Sequence, residues 1–129
     1  MSAAGAPDRP VVLVDARNVL RSVWPNLGEA ETALLACSWA TARDCSTLVV
    51  YDGAAPALED GCSSGRVVGS GTISADDVIV AEAARLAASG EPYWLVTSDR
   101  AVREAAGPAA ARTIGGGTFA RELRALATG

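Results

Sequence analysis

Along the chain, blocks of four or five consecutive apolar residues alternate with longer stretches in which apolar residues recur every three or four positions. The first block, Val11-Val12-Leu13-Val14, is mostly β-branched and runs straight into Asp15. Uninterrupted blocks of this kind read as strands covered on both faces, as in a parallel sheet. Thr47-Leu48-Val49-Val50-Tyr51 is a second such strand, ending in Asp52, and Arg66-Val67-Val68-Gly69 is a short one toward an edge. Tyr93-Trp94-Leu95-Val96-Thr97 is the fourth, and Ala110 to Ile114 a weaker fifth.

Helical spacing fills the intervals. Ala16 to Pro25 reads as a loop, after which Asn26 and Glu29 predict a capping box. That helix runs to about Arg43, with Leu27, Ala30, Leu34, Cys37 and Thr41 on its inner stripe and Asp44 closing it. Asp52-Gly53 opens a loose segment through Gly65. Ser74 caps a third major helix, which buries Val78, Ile79, Ala83, Leu86 and Ala87 and stops at Gly90. Ser98-Asp99 turns into a short helix ending near Gly107-Pro108, and Gly115-Gly116-Gly117 leads into a last one over 118–126 with Phe119, Leu123 and Leu126 inward. Strands alternating with helices predict an α/β fold, a three-layer sandwich on a mostly parallel sheet of about five strands.

With 129 residues, half of them hydrophobic, the chain is long enough for one real core. Residues 1–9 read as a flexible leader and 10–127 as the domain. The start lacks the charged and apolar regions of a signal peptide, and no apolar run is long enough for a bilayer. The expected compartment is cytoplasmic, with no membrane partner. Cys37, Cys45 and Cys62 lack the close pairing of a zinc or redox motif and read as small buried thiols, as Trp39 and Trp94 read as core.

Two absences narrow the chemistry. Without histidine there is no Ser-His-Asp triad, no Cys-His pair and no imidazole-ligated zinc. All eleven basic residues are arginine, so the lysine of a phosphate-binding Walker loop or of a phosphotransfer receiver is missing. Arg17 stands where a haloacid-type phosphatase needs its second aspartate. No glycine-rich fingerprint follows the first strand, which counts against a nucleotide cofactor of the dinucleotide type.

What remains is a set of carboxylates. Asp15, Asp52 and Asp99 lie just past strand ends, and Asp76-Asp77 open a helix. In an open parallel sheet the carboxyl ends of the strands share one edge, so all five converge there. Asp76, Asp77 and Asp99 also suit a helix dipole, and Asp52-Gly53 an ordinary turn. Asp15, ending a central buried strand, has no such simple explanation. Crowded carboxylates repel and raise one another's pKa unless a cation joins them, and an all-oxygen set favours Mg²⁺ or Mn²⁺. These residues point to metal-dependent hydrolysis of a phosphate ester without choosing its substrate.

The motifs Asp15-Ala-Arg-Asn18-Val, Ala75-Asp76-Asp77-Val78-Ile79 and Leu95-Val96-Thr97-Ser98-Asp99-Arg100 resemble those of the NYN/PIN-like ribonuclease superfamily, in its YacP-like or a related bacterial branch. The likeness runs from about Val11 to Leu126. It implies a PIN-like sheet ordered 3-2-1-4-5, with Asp15 and Asp99 on neighbouring strands. It also implies Mg²⁺- or Mn²⁺-dependent endonucleolytic cleavage of single-stranded RNA. By motif, Asp15, Asp76, Asp77 and Asp99 would hold or orient metal and water, and Asn18 would hydrogen-bond the cluster or substrate. Arg17, Arg21, Arg100 and Arg103 are the phosphate-contact candidates, and Trp24 is a base-stacking one. The net charge of −4 argues the other way and keeps an alternative open, a catalytically inactive PIN-like RNA-binding or protein-interaction module. A homodimer is compatible with either reading.

Overall fold

The computed structural model describes residues 9–58 and 65–128. The expected leader, except for Arg9, therefore lies outside the described residues, as does Cys62. Five strands, β1 (Val11–Asp15), β2 (Ser46–Tyr51), β3 (Gly65–Gly69), β4 (Tyr93–Val96) and β5 (Arg112–Ile114), form one sheet in the order β3-β2-β1-β4-β5. Every pairing is parallel, so the sheet is wholly rather than mostly parallel. β1 pairs with β2 from Val11↔Ser46 to Asp15↔Val50 and with β4 from Val11↔Tyr93 to Val14↔Val96. That register brings the carboxyl ends of the three middle strands to one edge. The strand order reverses between β1 and β4, the place where such sheets open a crevice.

Side chains of β1 alternate between two cores, as the two-residue strand period requires. Val12 and Val14 pack with α1 (Ala16–Leu20), α2 (Glu29–Ala42) and α5 (Gly116–Thr128). Leu13 packs on the other face with α3 (Ala75–Ser89) and α4 (Arg100–Ala106). Each of these valines and leucines is fully buried, and such burial contributes roughly 1.5–3 kcal/mol per side chain. Trp39 fastens α2 to α5: its ring meets Phe119 edge-on at 4.8 Å, and its Nε1–H donates to Glu122 Oε1 at 2.8 Å. Among the described residues no helix is long and apolar enough to cross a membrane.

Several expectations fail locally. Ala16 to Leu20 is a helical turn rather than loop, because Asp15 caps it by accepting from the Asn18 N–H. α2 is capped by Gly28, whose N–H is taken by Glu31 Oε1, and not by Asn26. Its buried face is Thr32, Ala33, Ala36, Cys37, Trp39 and Ala40, leaving Leu34 exposed. α5 begins two residues early and leaves Leu126 in solvent, as α3 does Ala87. Trp94 is only half-buried, at the margin of its core. Cys45 is the buried free thiol expected, whereas Cys37 is disulfide-bonded. The Ser74 cap and the left-handed Gly90 stop of α3 stand as read.

Candidate active site

β1 ends by carrying Asp15 out of the core while keeping it 5% exposed. A charge so placed needs partners. Thr97, the residue after β4, donates its hydroxyl to Asp15 Oδ2 at 3.0 Å, and the Asn18 backbone N–H points at Oδ1 from 3.4 Å. The same Thr97 oxygen accepts from the Asp99 N–H at 3.1 Å, so one fully buried hydroxyl ties the two aspartates together. Asp99 caps α4 by accepting from the Val102 N–H at 3.1 Å.

Asn18 is held from two sides. Its Oδ1 accepts from the Ser98 N–H at 3.0 Å, and its carbonyl accepts from the Ser22 hydroxyl. Ser98 in turn accepts from the Gly116 N–H at 2.8 Å, linking the turn after β4 to the start of α5. Gly116 is required here by close approach, since a Cβ on it would lie 1.9 Å from Asn18 Oδ1.

These elements enclose an open pocket of about 400 Å³ lined by Asp15, Arg17, Asn18, Arg21, Ser22, Asp52, Asp76 and Asp99. Four carboxylates from four separate segments thus share one cavity. Burial is the main influence on Asp15 and raises its pKa; the Thr97 and Asn18 hydrogen bonds pull it back, and the charges of Asp76 and Asp52 push it up again. Asp76 is raised likewise, first by burial, then by Asp99, Asp52 and Asp77. The mutual repulsion expected of a crowded acidic edge is present.

The remaining singled-out residues are placed differently from one another. Asp77 is exposed and faces a second groove, between α3 and α4, lined also by Val80, Ala81, Ala101 and Ala105. Arg17 reaches Asp52 with its Nη1 3.3 Å from Oδ2, while the Arg21 side chain has no ion pair or hydrogen bond among the described residues. Arg100 pairs with Glu104 on the exposed side of α4 and Arg103 is exposed, and neither lines the acidic pocket. Trp24 is 86% exposed rather than packed over the start of α2, two positions beyond the pocket residue Ser22.

Thr97, Ser98, Ser22 and Gly116 escaped sequence reasoning. A threonine directly after a strand and before Ser-Asp was the available signal for Thr97. The other three are recruited by contacts that pattern does not encode.

No protein-family model matches the chain, and no curated protein matches it by sequence. Solved structures do. The chain is similar to Rae1 (YacP) from Bacillus subtilis at 19% identity, over 92% of this chain and 75% of that one, with a TM-score of 0.66. For the W164L mutant of the same protein the identity is 18%, the coverage 92% and 77%, and the TM-score 0.68. At such identity the match speaks for the fold: an α/β domain on an all-parallel PIN-like sheet ordered 3-2-1-4-5. It carries the YacP name to which the three motifs pointed.

Proposed function

We propose that this protein is a divalent-cation-dependent endoribonuclease of the NYN/PIN-like type, hydrolysing phosphodiester bonds in single-stranded RNA. The observation that carries the reading is the burial of Asp15 within a pocket shared with Asp52, Asp76 and Asp99. A fold selected for stability alone would not keep four like charges around one cavity. The resemblance of the motifs supplies the substrate class.

The donor set suits the implied ion. All candidate ligands are carboxylate oxygens, the choice of a hard cation such as Mg²⁺ or Mn²⁺. Among the described residues no three acidic or thiol groups stand in a geometry that would cage an ion. Mg²⁺ typically takes one or two protein carboxylates and fills its shell with water and substrate phosphate. When bound, the ion supplies positive charge to a phosphoryl oxygen and acidifies a water.

Asp15 and Asp76 would hold it, the two pocket carboxylates whose pKa is raised by burial and by neighbouring negative charge. Asp99 completes the set from the α4 side, and Asp77 reinforces the local negative charge at Asp76. Asn18, fixed by Ser98, leaves its amide N–H₂ group available to a substrate oxygen. Arg21 and Arg17 border the pocket where the flanking phosphates would lie. Trp24, Arg100 and Arg103 would extend contact along the strand outside it.

The test is cleavage of end-labelled single-stranded RNA in Mn²⁺ or Mg²⁺ by wild type, Asp15→Asn and Asp76→Asn. Internal cuts by wild type should fall at least about 100-fold in each variant and vanish in EDTA. Equal cutting by all three proteins would end the proposal. RNA retained in EDTA, with no cut in any metal, would favour the inactive binding module.

A further inference from the structure

The role of Asp52 is not settled by its membership of the pocket. We propose that Asp52 is a positioning residue and not a cation holder: it fixes the first turn of α3 so that Asp76 faces Asp15, and it holds Arg17 at the pocket mouth. This inference rests on the reading of the pocket as a cation-dependent RNA-cleaving centre.

The carboxylate is committed on both oxygens. Oδ1 accepts the Ala75 N–H at 2.9 Å, and Oδ2 faces Arg17 Nη1 at 3.3 Å. Ala75 is the first residue of α3, where backbone N–H groups lack intrahelical partners. Ser74 Oγ takes the Asp77 N–H at 3.1 Å, so the residues on both sides of Asp76 are anchored, one by the helix's own cap and one by Asp52. The backbone around Asp52 is itself pinned. Tyr51 accepts from the Ser70 N–H at 2.9 Å, the Gly53 N–H donates to Ser70 Oγ at 3.0 Å, and the Gly53 carbonyl accepts from Gly71 at 3.0 Å. A fixed carboxylate is thereby presented to the helix start.

Charge separates Asp52 from its neighbours. Asp15 accepts from a hydroxyl and a backbone N–H, and Asp99 from a backbone N–H. Asp52 alone of the four faces a guanidinium, which offsets part of its charge. The charge left for a cation belongs to Asp15, Asp76 and Asp99. Arg17 is correspondingly engaged, while Arg21, one helical turn on, is free to meet a phosphate.

Three variants test this: Asp52→Ala, Asp52→Asn and Arg17→Ala, with Asp76→Asn for reference. The readouts are amide hydrogen exchange at 75–77, Mn²⁺ affinity by calorimetry, and kcat and KM on RNA. Asp52→Ala should speed exchange in that turn and lower Mn²⁺ affinity and kcat by about 10–100-fold. Asp52→Asn, whose amide oxygen still accepts from Ala75, should restore protection and bring Mn²⁺ affinity to within about threefold of wild type. Arg17→Ala should raise KM and leave exchange at 75–77 as it was. An Asp52→Asn protein that loses Mn²⁺ as completely as Asp76→Asn would make Asp52 a ligand and overturn the inference. So would undisturbed exchange in Asp52→Ala. A wild type that neither binds Mn²⁺ nor cuts RNA would refute the functional reading instead, and the exchange arm would still decide whether Asp52 holds α3.

Discussion

Replacing Gly116 by alanine sets helix preference against one contact. As the first residue of α5, alanine gains up to about 1 kcal/mol over glycine, and less at a helix end. Its Cβ, however, would sit 1.9 Å from Asn18 Oδ1, 3.1 Å from Asn18 Cγ and 3.2 Å from Ser22 Oγ. Real Cβ contacts that close do not occur, so the Asn18 amide must swing away, and Ser22 narrows its room to do so. The 3.0 Å hydrogen bond from the Ser98 N–H is then lost, worth about 1 kcal/mol net, and overpacking adds about 1–3 kcal/mol. The balance is a destabilisation of about 1–3 kcal/mol, or about 4–12 °C in Tm for a domain of this size. Urea and thermal unfolding of Gly116→Ala, Asn18→Ala and the double variant measure it. With Asn18 already truncated only the milder 3.2 Å approach to Ser22 Oγ remains, so adding Gly116→Ala should change stability by less than about 0.5 kcal/mol or improve it. An equal penalty in both backgrounds, or a single variant more stable than wild type, would refute this account of the glycine.

Three further outcomes follow from the site. Asp15 has a folded-state pKa above its unfolded value, so folding disfavours the ionised form: that penalty is absent below about pH 4 and complete above the raised pKa. Asp15→Asn should therefore melt higher than wild type near pH 8 without divalent cations, the gap closing on acidification; a gap that widened toward acid pH would contradict the sign. Thr97→Val removes the hydroxyl shared by Asp15 and Asp99 and should cost about 1–3 kcal/mol in urea unfolding, with Thr97→Ser recovering most of it; equal stability of the two variants would mean the hydroxyl bears no weight. Trp24→Ala should alter stability by less than about 0.5 kcal/mol, given its exposure, yet weaken single-stranded RNA binding by about 5–100-fold; unaltered affinity would remove the stacking role.

How much could be read in advance depended on what each segment had to do. Val11 to Val14 is covered on both faces, so unbroken β-branched residues betray it, and Asp15 at its end is conspicuous against them. The edge-sharing of Asp15, Asp76 and Asp99 followed from parallel topology alone. α1 was hidden because five residues, three of them Arg, Asn and Leu, carry too little period to register. In α2 the alanines at 33, 36 and 40 are the buried ones and Leu34 is not, since close helix–helix packing against α1 and α5 admits small side chains where a leucine stripe was expected. Asn18, Ser98 and Gly116 meet only once the sheet is assembled, and no local spacing announces that triangle.

The centre of the sheet is made early but finished late. β1 precedes the other strands of its sheet in the chain, and its second neighbour, β4, is 82 residues away at the Asp15–Thr97 contact. A nascent chain halted before that point already contains Asp15, Asp52, Asp76 and Asp77. It has nothing to cover one flank of β1 and no hydroxyl to steady Asp15. Under the proposed activity, unfinished copies would be chemically silent toward cellular RNA, including the message still being translated.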